Sequence, residues 1–263
     1  MFLLSPFYNV SPVAAALLAT LFTYLVTAAG AAAVFLFKDI NRKFLDLMMG
    51  FAGGVMIAAS FWSLLSPATE LLEELGRSPF IMTAIGFTAG GLFIILSDIL
   101  LKKVTSDTSE SLHRSALLVS AMTLHNIPEG LAVGVAFGCA ALGIPGATSA
   151  AAISLAVGIG LQNFPEGICV ALPLRRDGVS AGKSFFIGQA SGMVEPLSGM
   201  LGAFAAITVR EILPFALSFS AGAMIAVVCS ELIPESFKDS KIISTLGILF
   251  GFVTMMILDV ALG

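Results

Sequence analysis

The chain has 263 residues, 57% of them hydrophobic and only 11% charged, with a mean hydropathy of +1.00. A soluble domain carries about 25% charged residues, so this composition excludes an ordinary water-soluble domain. The formal net charge of −4 says little about a membrane chain, and no basic cluster points to nucleic acid.

Long runs with few charges mark membrane spans. In chain order they are expected at 11–37, 44–66, 79–101, 115–138, 149–173, 183–206, 212–235 and 241–262. The connections between them leave no room for a soluble domain. Residues 1–263 therefore read as one domain of an all-α integral membrane protein with eight transmembrane helices. Residues 1–10 contain no Lys or Arg, so a signal-peptide n-region is missing and the first helix is expected to be retained. Cys139, Cys169 and Cys229 fall in or at the ends of spans and form no CxxC pair. They read as small buried packing residues rather than a disulfide framework or thiolate cage.

Basic residues orient the spans. The first connection has Lys38, Arg42 and Lys43; the third has Lys102, Lys103 and Arg114; the fifth has Arg175, Arg176 and Lys183; the seventh has Lys238 and Lys241. Only Arg77 and Arg210 lie on the other side. Both termini are thus expected to be extracytoplasmic. The outward 67–78 loop carries Glu70, Glu73 and Glu74 against Arg77. It is either an acidic vestibule that concentrates cations or a solvated helix end.

The fourth and fifth spans each contain a polar hexad. His125-Asn126-Ile127-Pro128-Glu129-Gly130 is echoed by Gln162-Asn163-Phe164-Pro165-Glu166-Gly167. Hydrocarbon penalises each uncovered carboxylate, amide or imidazole by several kcal/mol. His125 and Glu129 share a helix face at i, i+4, as do Gln162 and Glu166. Asn126 and Asn163 lie beside those faces. Pro128 and Pro165 cannot donate to Leu124 and Leu161, so each is expected to kink its helix and free a carbonyl. Gly130 and Gly167 are expected to let the two helices approach closely. Imidazole and carboxylate suit zinc and other first-row divalent ions, whereas neutral amides bind zinc weakly. Two carboxylates balance a doubly charged ion in low dielectric. The duplication weighs against a purely structural role.

Other polar residues lie inside spans. Glu195, before Pro196 in the sixth, is a ligand candidate. Glu231 and Glu235 flank Pro234 near the cytoplasmic end of the seventh, as a metal exit path or a solvated helix end. Asp98 in the third and Asp259 in the eighth stay open between function and packing. Met56 could give a thioether to a soft ion, but packing is its ordinary role.

These residues resemble the ZIP (Zrt/Irt-like protein) family of divalent-metal transporters, and the chain looks closest to the bacterial branch called GufA-like. The resemblance covers the whole chain, and the two Asn-x-Pro-Glu-Gly motifs are its specific signals. It implies a metal site between kinked fourth and fifth helices, similar to a two-metal centre. One ion would be held by Met56, His125, Glu129, Gln162 and Glu166, and a second by Asn126, Glu129, Asn163, Glu166 and Glu195. Ser63, Glu70 and Asp259 match an outer access path, and Asp98 and Glu231 an inner release path. The chain departs from the family pattern in three places. Gln162 stands where many members have His, and Asn163 where some have Asp. Ser230-Glu231 replaces His-Glu, and the third connection has one histidine, His113, rather than a His-rich loop.

The expected function is import of a divalent metal into the cytoplasm, zinc first, then iron, manganese or cadmium, by an elevator-type carrier. The metal is cargo, and no organic cofactor is expected. The expected partners are divalent ions and the lipid bilayer of a plasma membrane, in bacteria the inner membrane, with a homodimer left open. An intramembrane zinc enzyme is the competing reading, but the chain has no HExxH. A metal-selective channel or a membrane scaffold is the other. No GxxxxGK[ST] loop points to ATP.

Overall fold

A computed structural model of the chain describes residues 10–37, 41–104, 110–144, 147–176, 178–208 and 210–262. Within these, side chains are described except at 101, 102, 104, 110–122, 124, 125, 176, 210 and 262. The side chains of His125, His113, Lys38, Lys102, Arg114, Arg176 and Arg210, and residues 1–9 of the leader reading, therefore lie outside the described set.

The described residues form helices and their connections, without strands. In bilayer hydrocarbon a helix satisfies its own backbone. The long helices are α1 (Pro12–Leu36), α2 (Arg42–Glu74), α3 (Pro79–Val104), α4 (Glu110–Ala141), α5 (Ser149–Arg176), α6 (Ala181–Thr208), α7 (Leu213–Ser236) and α8 (Lys241–Leu262). Among the described residues, 7 helices are long and apolar enough to cross a membrane; in α4 the described apolar part is the shorter Asn126–Ala141. Caps follow the sequence: Ser11 accepts from Ala14 N at 3.2 Å, and Asn41 from Lys43 N at 2.9 Å.

The helix α2 runs on to Glu74, so residues 67–74 are helix and not loop. Pro67 falls in the first turn of that last helical segment, directly after a π-helical turn. Glu70, Glu73 and Glu74 thus project from an exposed helix end.

Irregular turns sit just before three prolines. The backbone widens to π-helix at Ser60–Leu65 before Pro67 and at Val228–Leu232 before Pro234. It tightens to 3₁₀ at Ser191–Met193 before Pro196. A proline removes one helical donor, and the preceding turn adjusts. By contrast, α4 and α5 remain α-helical through Pro128 and Pro165.

Small residues decide which helices meet. Gly50 and Gly54 of α2 press on the backbone of Ser244 and Ile248 in α8, while Gly247 and Gly251 press back on Leu47 and Phe51. Gly134 of α4 faces the Gly199 carbonyl of α6. Close backbone approach through such positions drives helix association in membranes. The result is two groups. One pairs α2 with α8 and α3 with α7; the other pairs α4 with α6 and α1 with α5 and α6. They meet where α2 and α8 cross α5 and where α7 crosses α4. The apolar core of α5 is 83% buried, against 17% for α3 and 22% for α8. Helix α5 is therefore central, and α3 and α8 are peripheral.

This packing corrects one expectation. Gly130 meets Glu195 and Ser198 of α6, and Gly167 meets Thr27 of α1. The hexad glycines draw each helix onto a third partner, not onto each other. A second correction concerns Cys229, which is exposed, whereas Cys139 and Cys169 are buried. All three are free thiols.

Candidate metal centre

The two hexads meet through amides. Gln162 of α5 donates its Nε2 hydrogen to Glu129 Oε1 of α4. Asn126 Nδ2 donates to the Ser191 carbonyl of α6 at 2.8 Å. Asn163 Nδ2 donates to both oxygens of Glu195, at 2.9 and 3.1 Å, and to the Thr23 carbonyl at 3.2 Å. The Thr23 hydroxyl also donates to Glu195. One network thus ties α1, α4, α5 and α6 together.

The partners fix which way each amide points. Carboxylates and carbonyls only accept, so the NH₂ of each amide must face them. The amide oxygens then face away, and none of them finds a donor among the described residues. Asn126 Oδ1, Gln162 Oε1 and Asn163 Oδ1 are buried without a hydrogen bond, as are Glu129 Oε2 and Glu166 Oε1. The side chains are sequestered: Glu129, Gln162, Asn163 and Glu195 are 0% exposed, Asn126 and Glu166 2%. Each unsatisfied buried group costs about 1–3 kcal/mol. Glu166 and Glu195 also lie near enough to repel Glu129 electrostatically. Carboxylate and amide oxygens are hard donors of the kind a divalent cation takes.

The carboxylates differ. Glu195 receives Thr23 and Asn163, whereas Glu129 and Glu166 each keep an unpaired oxygen. No three His, Cys, Asp or Glu side chains among the described residues come together as a metal-holding group. The described network is therefore built of carboxylates and amides, with His125 outside the described set.

Thr23 was not singled out by the sequence. It lies on the buried face of α1 with Thr20 and Thr27. That spacing of hydroxyls in an apolar helix was the available signal. Met56 is fully buried in the apolar core.

The outer candidates share a cavity of about 230 Å³ that includes Ser63, Glu70 and Asp259 in its lining. Ser63 donates to Asp259 Oδ1 at 2.8 Å, and Asp259 Oδ2 is buried without a partner. Ser66 donates to Glu70 at 3.1 Å.

At the opposite end, Glu235 accepts from Arg42 at 2.8 Å and pairs with Lys238. Arg42 also pairs with buried Asp46 at 3.1 Å. Glu231 lies half-buried in the π-helical turn of α7, and Asp98 half-buried on α3. Glu235 is thus held by Arg42 and Lys238 at the end of α7.

The ZIP Zinc transporter family pattern matches residues 102–259, which include both hexads, Glu195 and Asp259.

The chain belongs to the ZIP family.

It is 41% identical to Zinc transporter ZIP11 of Homo sapiens over 339 aligned positions, covering 96% of this chain and 98% of that protein. It is 36% identical to Zinc transporter GufA of Myxococcus xanthus, over 95% of this chain and 99% of the relative. Zinc transporter ZIPB of Bordetella bronchiseptica is 33% identical over 91% of this chain and 79% of its own length. Within the ZIP family the chain falls in the GufA-like branch. ZIP membership and the apolar helices make it a multi-pass membrane protein.

Proposed function

We propose that this chain carries a divalent metal ion across the plasma membrane into the cytoplasm, zinc first, with iron, manganese and cadmium as further cargo. One observation carries the reading: five buried oxygens of the two hexads, two of them on the carboxylates of Glu129 and Glu166, lack a donor among the described residues. The related proteins named zinc transporters support the choice of cargo.

The ion is dehydrated on entry, and the carboxylates of Glu129 and Glu166 offset that cost. Arrival of a cation removes the reason for Gln162 to donate to Glu129. The amide turns, and its oxygen joins the carboxylates. His125 supplies the imidazole. Asn126 and Asn163 offer a second, weaker seat beside Glu195, whose charge is already engaged by neutral donors. Met56 borders the first seat.

Ser63, Glu70 and Asp259 form the outer access path, and Asp98, Glu231 and Glu235 the inner release path. In this reading the chain has eight spans, both termini outside and the basic helix ends in the cytoplasm. The α1–α4–α5–α6 group holds the hexads and moves as a unit against α2, α3, α7 and α8, an elevator-type cycle favoured by the way these helices pair. Residues 1–263 act as one transporter domain, without organic cofactor or catalysis, and the reading accommodates a homodimer.

Uptake of labelled zinc into proteoliposomes tests this, with Glu129→Ala and Glu166→Ala as controls and unlabelled iron, manganese and cadmium as competitors. Uptake that saturates at micromolar metal and collapses in both variants supports the carrier. Peptide cleavage without flux would favour a metalloenzyme, and flux without saturation a channel.

A further inference from the structure

An apolar groove of about 590 Å³ opens on the surface of the bundle where the two helix groups meet. Phe22 of α1 with Leu161 and Pro165 of α5 form one wall; Leu47 and Phe51 of α2 with Phe250 of α8 form the other. No lining side chain carries a hydrogen-bonding group. Phe22 is 45% exposed, Leu161 42% and Phe250 63%, so the groove faces outward.

Water is a poor occupant, because an ordered water needs two to four polar partners. An empty slot is equally poor, since packed interiors leave few voids larger than a water molecule. The groove lies within membrane-spanning helices. The medium against such a surface is hydrocarbon, and an acyl chain fits its shape and chemistry.

One end of the groove has a charge. Lys43 precedes Leu47 by four residues, on the same face of α2, and is exposed. From Lys43 to Phe51 the helix rises about 12 Å. Exposed Lys241 opens α8, whose Gly247 and Phe250 line the same groove. The α2 and α8 backbones meet at Leu47 and Gly247, so both lysines stand at the same end. A slot running inward from a basic rim matches one lipid class.

We propose that this groove is a phospholipid site that seats one acyl chain of an anionic phospholipid, with its phosphate at Lys43 and Lys241. The bound chain bridges α1 and α5 to α2 and α8, and so ties the two helix groups together. Binding itself does not depend on the cargo, so it can be measured without metal.

The test is native mass spectrometry of the purified full chain titrated with phosphatidylglycerol or phosphatidylcholine. One phosphatidylglycerol should be retained above the rest. Val157→Trp, which fills the groove, should abolish that retention, and Ile95→Trp on the exposed face of α3 should keep it. Lys43→Glu should weaken phosphatidylglycerol about fivefold and spare phosphatidylcholine. Equal retention in Val157→Trp and the parent chain would overturn the site. A phospholipid with a diazirine in its acyl chain provides a readout on the unmodified protein. Adducts should concentrate on Phe22, Leu47, Phe51 and Leu161. Labelling of Ile95 and Leu96 at the same level would mean annular lipid only, and would also overturn the proposal.

Discussion

Gln162 gives its amide hydrogen to Glu129, and the oxygen of the same amide is left buried without a partner. That pairing joins the two hexads across α4 and α5 and holds a carboxylate with a weak donor that a cation can replace. It also predicts unequal consequences at one residue. Gln162→Glu would place a third carboxylate beside Glu129 and Glu166 and raise affinity for a divalent ion. Gln162→Leu would leave Glu129 with no donor and lower both affinity and stability. Isothermal titration with zinc and a thermal melt would check both directions.

Thr23 is the second test of the network. Its hydroxyl donates to Glu195, and its carbonyl accepts from Asn163. Thr23→Val removes one donor from a fully buried carboxylate, at a cost of about 1–3 kcal/mol. Among the described residues Thr20 bonds to carbonyls of its own helix, Ala16 at 2.7 Å and Leu17 at 3.3 Å. Thr20→Val should therefore melt close to the parent chain. Equal melting temperatures for the two variants would remove Thr23 from the site.

The hexads, Glu195 and the spans were legible because a polar group in an apolar run is visible in one dimension. What each group touches was not. Gly130 and Gly167 read as a contact between α4 and α5, yet they serve α6 and α1. Thr23 looked like an ordinary threonine of the first span until Glu195, far along the chain, was brought beside it. The prolines inside the hexads leave the helix assignment unbroken, and the irregular turns fall before Pro67, Pro196 and Pro234. Tertiary packing decides which proline a helix absorbs.

The Arg42 cluster predicts a stability effect at the end opposite the cavity lined by Ser63 and Asp259. Arg42 joins Asp46 of α2 to Glu235 of α7, and Asp46 accepts from the backbone of Asp239 and Ser240. Arg42→Ala leaves a buried carboxylate short of its cation and should cost about 1–3 kcal/mol. Hydrogen exchange at 237–240 should rise with it. Unchanged exchange there would show that the cluster does not hold the α7–α8 turn.

Asp259 predicts an effect on capture. With Ser63 and Glu70 it lines the cavity of about 230 Å³, and one of its oxygens has no partner among the described residues. Asp259→Asn should raise KM for zinc severalfold and leave kcat near the parent value, as expected when binding on approach is lost. An equal fall in kcat would place Asp259 in the translocation step.

Helix packing gives a prediction independent of metal. A Cβ on Gly134 would run into the Gly199 carbonyl of α6, whereas one on Gly182 meets nothing within 4 Å. Gly134→Leu should abolish the monodisperse peak in size-exclusion chromatography, and Gly182→Ala should leave it intact.

The central claim is that the unpaired oxygens of Glu129 and Glu166 are where the cargo binds. The most direct measurement is labelled-zinc uptake into proteoliposomes by Glu129→Gln and Glu166→Gln, variants that keep the side-chain shape and remove the charge. With folded protein matched by size-exclusion chromatography, uptake should fall by at least about tenfold in each, a loss of about 1.4 kcal/mol or more. Uptake equal to the parent chain in both variants would contradict the account.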